Sequence, residues 1–271
     1  MNVRLVNHTP NPEEFIVYVA RVSNPDNQGN PEIAKLVRYL IRNKHWSPLE
    51  HAFFTFEIKT SRAIAQQIVR HRSFSFQEFS QRYSEVTEIE PIELRRQAIK
   101  NRQSSEEVFD PVVAEIRHER DWDASYVMYA SELINDVVRN AKNAYHKLIN
   151  AGVAKESARL ILPLATSTTL YMSGSVRSWI HYLQLRNDDH AQKEHQLIAQ
   201  QIEDILRREL PITFTALDDI RQANENHDQI LRILKNHGMR TADDLLAALL
   251  TSPVGHLRSP ESDGSIKTIV G

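Results

Sequence analysis

The spacing of apolar residues changes period several times along the chain, and each change marks an element. Residues 2–8 alternate, with Val3 and Leu5 on one side, and predict a short strand; Glu13 to Val22 predicts a helix ending near Ser23-Asn24-Pro25. Ile33, Leu36, Val37, Leu40 and Ile41 fall at helical spacing over 32–44, and His45-Trp46-Ser47-Pro48 stops that helix. The run Phe53-Phe54-Thr55-Phe56-Glu57-Ile58 predicts a core strand. From Ser61, a natural N-cap, a helix is expected to about Arg72, which would put Gln67, Arg70 and His71 on one face. Alternation from Ser75 to Tyr83 predicts an extended segment with Glu78, Ser80 and Arg82 projecting to one side.

Residues 84–122 are polar and irregular, where loops and a helix are expected. Ala124 to Ala151 carries a long helical pattern closed by Gly152, and Lys155 to Leu162 predicts another helix, stopped by Pro163. The Thr-rich piece Ala165 to Met172 predicts a strand. Ser175 can cap a helix to about Leu185, with Arg177 and His181 on one face. Asp188 or Asp189 is the expected cap of the next helix, which runs to about Leu210 on a stripe of Leu197, Ile198, Ile202, Ile205 and Leu206. Two short helices are expected after Thr215, at Asp228 to Lys235 and Thr241 to Leu250. A Ser-, Pro- and Gly-rich tail expected to be disordered follows from Ser252. The reading is an α/β (α+β) fold, a mixed sheet with flanking helices over residues 1–215, followed by a C-terminal extension over 216–271.

Composition narrows the function. With 41% hydrophobic and 25% charged residues the chain reads as a soluble globular protein, and no apolar run approaches the ~20 residues that span a bilayer. Residues 1–10 lack a signal sequence, so a cytoplasmic location is expected. A net charge of −2 argues against a nucleic-acid-binding protein. The chain has no cysteine, which removes thiolate nucleophiles, disulfides and iron–sulfur sites. Its seven glycines form neither G-x-G-x-x-G nor a P-loop, so any phosphate must be held by side chains. The 12 histidines include no H-E-x-x-H pair, and no metal site is expected.

The densest chemistry lies in Arg70-His71-Arg72-Ser73-Phe74-Ser75-Phe76-Gln77-Glu78-Phe79-Ser80-Gln81-Arg82-Tyr83. Three arginines suit phosphate, while Glu78 can accept from the N–H of a base or ring, so the run reads as a site for a nucleotide-like anion. A solvated charge run is the common alternative, but this one has no lysine and is interleaved with aromatic residues. Arg159, Ser175, Arg177, His181, Arg186 and His190 form a second constellation. Each is singly explicable as structural, and Arg186 could pair with the Asp188-Asp189 turn. Together with Arg70, Arg72 and Arg82 they supply enough cations for a nucleotide phosphate and a dinucleotide.

The order Arg-His-Arg, Ser75, Gln77-Glu78, Ser80, Arg82-Tyr83 resembles the signature of the flavin-dependent thymidylate synthases. The resemblance covers residues 1–215 and includes Ala20-Arg21-Val22-Ser23, His45 to His51, Ala158 to Pro163 and Leu185 to Gln192. It implies a homotetramer with FAD and dUMP bound where subunits meet, methylenetetrahydrofolate as carbon donor, NADPH as reductant, and conversion of dUMP to dTMP. Carried over by position, Gln67, Arg70, Glu78, Ser80, Gln81, Arg82 and Arg159 resemble dUMP binders. Arg186 resembles the arginine that contacts the uracil and is the implied catalytic residue. Ser47, Arg70, His71, Arg72, Glu78, Ser175, Arg177 and His181 resemble FAD contacts. Many members have Asn where this chain has Gln77, Ser175 and His181. The competing reading is a regulatory protein that binds FAD or nucleotide without turnover.

Overall fold

The computed structural model describes residues 1–86, 88–101, 104–117 and 125–236, with the short pairs 256–257 and 267–268. In chain order the elements are β1 (Asn2–His8), α1 (Pro12–Ala20), α2 (Ala34–Arg42), β2 (Phe53–Ser61), α3 (Arg62–Ile68), β3 (Ser75–Glu78), β4 (Arg95–Gln97), β5 (Ser105–Val108), β6 (Val112–Arg117), β7 (Ser125–Tyr129), α4 (Ala130–Asn150), α5 (Lys155–Ala158), β8 (Ser167–Ser175), α6 (Val176–Arg186), α7 (Lys193–Glu209) and α8 (Pro211–Asn236). Short 3-10 turns occur at Pro25–Asn27, Ser47–Glu50 and Arg159–Ile161.

The aromatic run of β2 and the Thr-rich run of β8 pair along their whole length and form the centre of a four-stranded sheet in the order β1-β2-β8-β3. All of its pairings are antiparallel, so the expected mixed sheet is mixed with helices but not in strand direction. Alternation sorts the two faces. Phe54, Phe56, Ile58 and Thr60 of β2 lie opposite Gly174, Met172, Leu170 and Thr168 of β8, and this face is buried. The other face carries a polar ladder in which Glu57 bonds both Arg4 and Tyr171.

Helices α6 and α7, with α2 and the start of α8, cover the buried face. Trp179 of α6 is fully buried, packs edge-on against Phe56 and Phe74, and donates its indole N–H to Phe54 O at 3.2 Å. Glu13 of α1 is buried and accepts from the Thr213 N–H (2.6 Å) and hydroxyl (2.8 Å), so a carboxylate sits at the N-terminal end of α8, where the helix dipole favours it.

Several elements differ from the sequence reading. Helix α3 stops at Ile68 instead of running to Arg72, and β3 ends at Glu78, after which the chain turns at Ser80, whose carbonyl accepts from Tyr83 and Ser84. Residues 125–129, expected as the start of a long helix, form β7 against β6, and the described part of 84–122 holds strands β4, β5 and β6. The β-branched and aromatic residues of β6 and β7 find cross-strand partners that a local periodicity count does not include. The N-cap of α7 is Gln192, not an aspartate; Asp188 instead accepts from His190. Pro211, directly after the expected end of α7 near Leu210, begins α8, because a first helical turn needs no donor from proline. The helix expected at Asp228 to Lys235 is the end of this 26-residue α8, while the one expected at Thr241 to Leu250 lies outside the described residues. So does nearly all of the tail from Ser252, of which only the short antiparallel pair 256–257 and 267–268 is described. Ser61 and Ser175 cap α3 and α6 as expected, and Gly152 ends α4 in the left-handed region at φ 84°.

Gly174 is the position where β8 allows close approach. A Cβ there would overlap two ring carbons of Phe74, whose ring fills the space above the strand. Gly174→Ala is expected to lower stability by about 1–3 kcal/mol, as over-packing does. Urea unfolding measures this, and Phe74→Leu in the Gly174→Ala background should recover part of the loss; a second substitution that only adds to the damage would refute the contact.

Candidate active site

Because α3 ends early, Gln67, Arg70 and His71 do not share a helical face. The chain leaves α3 in tight turns, with Arg70 N–H bonded to Gln67 O and His71 N–H to Ile68 O. These turns direct His71 inward while Arg70 and Arg72 stay exposed. Ser178 of α6 donates its hydroxyl to Ser73 O at 3.2 Å, docking the turn onto that helix.

At the C-terminal end of α6, Arg186 Nε donates to His71 Nε2 at 2.9 Å. Among the described residues this is the guanidinium's hydrogen bond, so His71 grips one edge of the fork and leaves its two terminal amino groups for other acceptors. His71 packs edge-on against Tyr182 and near His195. His195, of α7, is fully buried; its Nε2 lies 3.0 Å from Tyr182 Oη and its Nδ1 3.3 Å from Gln67 Oε1. Gln67 in turn donates to Gln192 Oε1 at 2.6 Å. Burial first, and then the Arg186 and His181 side chains, push His71 down to about 4. Burial, Arg186 and His71 push His195 down to about 3. Both rings are neutral near pH 7. Burial raises Tyr182 well above the ordinary phenol range.

A second group collects at the start of α6. Arg177 and His181, one turn apart, line a surface cavity of ≈460 Å³ with Trp46, Glu50 and Ser73. Arg177 is ion-paired with Glu50, and both side chains are about half exposed, so the pair is weak and open to exchange. Ser47 begins the 3-10 turn that holds Glu50. Ser175 is buried, and its hydroxyl accepts the Ser178 N–H as the cap of α6.

The remaining predicted residues lie elsewhere on the sheet. Glu78 faces the same side as Leu170, accepts from the Thr168 hydroxyl at 3.0 Å and lies 3.9 Å from Arg62. Its pairing partner Leu170 is five residues from Ser175 along β8, or roughly 17 Å at strand spacing. Ser80 and Arg82 belong to the turn after β3, so they do not share a strand face with Glu78. Arg82 pairs with Glu156, and Arg159 donates to the Glu156 carbonyl at 3.4 Å. Gln81 is buried, and its Nε2 has no hydrogen-bond partner among the described residues. His190 pairs with Asp188. The protein therefore assembles Gln67, His71 and Arg186 in one place, sets Arg177 and His181 beside it on α6, with His181 close enough to act on His71, and carries Glu78 and the Ser80–Arg82 turn at β3.

His195, Tyr182 and Gln192 were not singled out by the sequence reading. The available signal was position: His195, Ile198, Ile202 and Leu206 share the buried side of α7, whereas Leu197, assigned to the apolar stripe, faces out. A polar residue in an apolar stripe must find partners.

Residues 4–212 match the family described as thymidylate synthase complementing protein. A probable flavin-dependent thymidylate synthase of Paramecium bursaria Chlorella virus 1 is 47% identical over 208 residues, 76% of this chain and 90% of the relative. A flavin-dependent thymidylate synthase of Synechocystis sp. is also 47% identical, over 207 residues covering 76% and 90%. Among solved structures, a UMP/dUMP methylase PolB from Streptomyces cacaoi, bound with 5-Br dUMP, is similar with a TM-score of 0.63 at 28% identity, covering 80% of this chain and 94% of that one.

The neutral histidines have a consequence for stability. Their folded pKa values lie below the free value of about 6.5, so protonation favours the unfolded chain. The stability they contribute is complete above that pH and is lost as pH falls from it toward about 4 for His71 and about 3 for His195. For buried His195 the loss should be on the order of 2 kcal/mol by pH 5. Urea unfolding at pH 7 and at pH 5 should show the drop, and His195→Asn should shrink it; identical pH slopes in the two proteins would contradict the assignment.

Proposed function

The chain belongs to the thymidylate synthase complementing protein family, the flavin-dependent thymidylate synthases, which convert dUMP to dTMP with FAD as cofactor, and from that premise we propose how its own residues serve the reaction. Arg186 is the catalytic residue, aimed at the uracil. Methylenetetrahydrofolate supplies the carbon at the methylene level, and two electrons from NADPH bring it to the methyl level. The products are dTMP, tetrahydrofolate and NADP. Reduced FAD, when bound, supplies the hydride. A cytoplasmic location suits an enzyme that draws on free nucleotide and folate pools.

The observation that carries the reading is the Arg186–His71 contact. A neutral imidazole holds Nε of the guanidinium and keeps its terminal N–H groups free in a partly buried place, where a positive charge interacts strongly with developing negative charge. As the uracil passes its N3 proton to solvent water, Arg186 stabilises the resulting anion and makes the ring carbon nucleophilic. The absence of cysteine from the chain fits this route, since no thiolate is available to add to the ring.

The binding residues fit the ligands in parts. Gln67 and Arg186 serve the base, and the unpartnered Nε2 of buried Gln81 suits an acceptor oxygen on the nucleotide. Arg82, Arg159 and Arg70 suit its phosphate, with Glu78 and Ser80 as further contacts. The cavity lined by Trp46, Arg177 and His181 offers one aromatic face and two donors for FAD, with Ser47, His71, Arg72, Glu78 and Ser175 as neighbouring contacts. The family resemblance implies a homotetramer whose subunits complete one another's sites, and the position of Glu78 beside Leu170, five residues along β8 from Ser175, leaves room for ligands that reach from one group to the next.

Release of tritium from ring-labelled dUMP, with FAD, NADPH and methylenetetrahydrofolate each omitted in turn, tests the reaction. Dependence on reductant is expected; binding of FAD and dUMP without release would overturn it in favour of a regulatory protein. Arg186→Ala should lower turnover by about 100- to 1,000-fold while dUMP affinity changes only by a few-fold. Unchanged turnover would remove Arg186 from its role.

A further inference from the structure

His195 is not among the proposed substrate or cofactor contacts, yet its buried ring joins the core to Gln67. The directions of its hydrogen bonds follow from chemistry. Among the described residues the buried Tyr182 hydroxyl has His195 Nε2 as its hydrogen-bond partner, so the hydroxyl must donate or leave its proton unpaired. Nε2 is then the bare nitrogen of a neutral ring, and the ring proton is on Nδ1. That N–H faces Gln67 Oε1 at 3.3 Å, which fixes the oxygen end of the Gln67 amide toward α7. The nitrogen end donates one N–H to Gln192 Oε1 at 2.6 Å and keeps a second N–H. The chain of donors runs from Tyr182 through His195 to Gln67 in one direction only.

We infer that His195 is a positioning residue for nucleotide binding: with Tyr182 setting its tautomer, it locks the Gln67 amide so that a donor N–H, and not the carbonyl oxygen, is offered to an acceptor on the base or phosphate of a pyrimidine nucleotide. The same cluster touches the Arg186 side through Tyr182 and His71, whose rings lie 4.9 Å apart, so one buried assembly orients both groups that meet the nucleotide. A buried histidine that merely satisfied its own polarity would serve equally well with any partner. Here the partner is a partly exposed residue of the candidate site, and the tautomer decides which of its ends is free. The inference rests on the reading of Gln67 as a nucleotide contact.

The test separates the two ends of the ring. His195→Asn keeps a donor where Nδ1 lies and loses the Tyr182 contact; His195→Gln reaches toward Tyr182 and loses the donor to Gln67. In the FAD-loaded enzyme, His195→Gln should raise the KM for dUMP by about 10-fold, the effect of one lost hydrogen bond at a binding group, with kcat changed much less. His195→Asn should stay within about 3-fold of wild type, and in the Gln67→Ala background His195→Gln should add less than about 2-fold. Tyr182→Phe, which changes no volume in the core beyond one oxygen, frees the tautomer and should raise the KM by a few-fold in the wild-type background but not beside His195→Asn. Equal KM values for the Asn and Gln variants, or a full effect of His195→Gln in the absence of the Gln67 amide, would overturn the inference. FAD content and melting temperature, measured on each variant, distinguish a lost fold from lost positioning, and Tyr182→Phe carries the test if the His195 variants do not fold. A wild-type enzyme that neither binds dUMP nor turns it over would instead overturn the functional reading itself.

Discussion

The close approach of Phe74 to Gly174 is the constraint on which the candidate site depends. A strand in the middle of a sheet normally presents a side chain at every second position, and that side chain would hold the next layer away. Gly174 removes it, and the Phe74 ring occupies the gap against Trp179 of α6. With Phe74 anchored there, the turn from Arg70 to Ser73 lies on α6, Ser178 bonds Ser73, and His71 comes within hydrogen-bond distance of Arg186. Phe74 is partly buried against the core, so loss of its ring should cost less than the ~3–5 kcal/mol of a fully buried aromatic.

Around that anchor the electrostatics follow from burial. An arginine beside two imidazoles would be a cluster of three cations if the rings were exposed and protonated. Desolvation and the Arg186 charge act in the same direction and keep both rings neutral, leaving one cation whose charge is not shared. Neutral rings also carry a defined acceptor and a defined donor, which a doubly protonated ring does not. The cluster therefore converts hydrophobic burial into direction: it says where the guanidinium points and which end of an amide is free. The ion pair of Arg177 with Glu50 is the contrasting case, about half exposed on both sides and therefore weak and exchangeable.

Much of the fold was legible from local pattern. The Phe- and Thr-rich runs that became β2 and β8 have residues that favour strands wherever they lie, and Ser61 and Ser175 cap helices through contacts within their own first turns. The misreadings have a common cause. The segment 125–129 became a strand because β6 lies beside it, and the α3 helix ended at Ile68 because Phe74 has its place across β8 and α6. In each case a partner on another element, the adjacent strand for 125–129 and β8 with α6 for Phe74, outweighed a local preference worth a fraction of a kcal/mol per residue. The turn at Ser80 likewise broke an alternation that would have aligned Glu78, Ser80 and Arg82.

The site divides in the same way. By itself the sequence determined the chemical inventory: an arginine-rich, lysine-free motif, no thiolate, no glycine-rich phosphate loop, and an ordered signature that identified the family before any contact was known. These are properties of residue identity and order, and they need no third dimension. Only the tertiary structure decided that Arg186 bonds His71 and not the neighbouring aspartates, that Gln67 is held by His195, and that Arg177 and His181 open on a separate cavity. Those pairings join residues more than a hundred positions apart, and a hydrogen bond is set by distance and angle, which packing of the core fixes and sequence spacing does not.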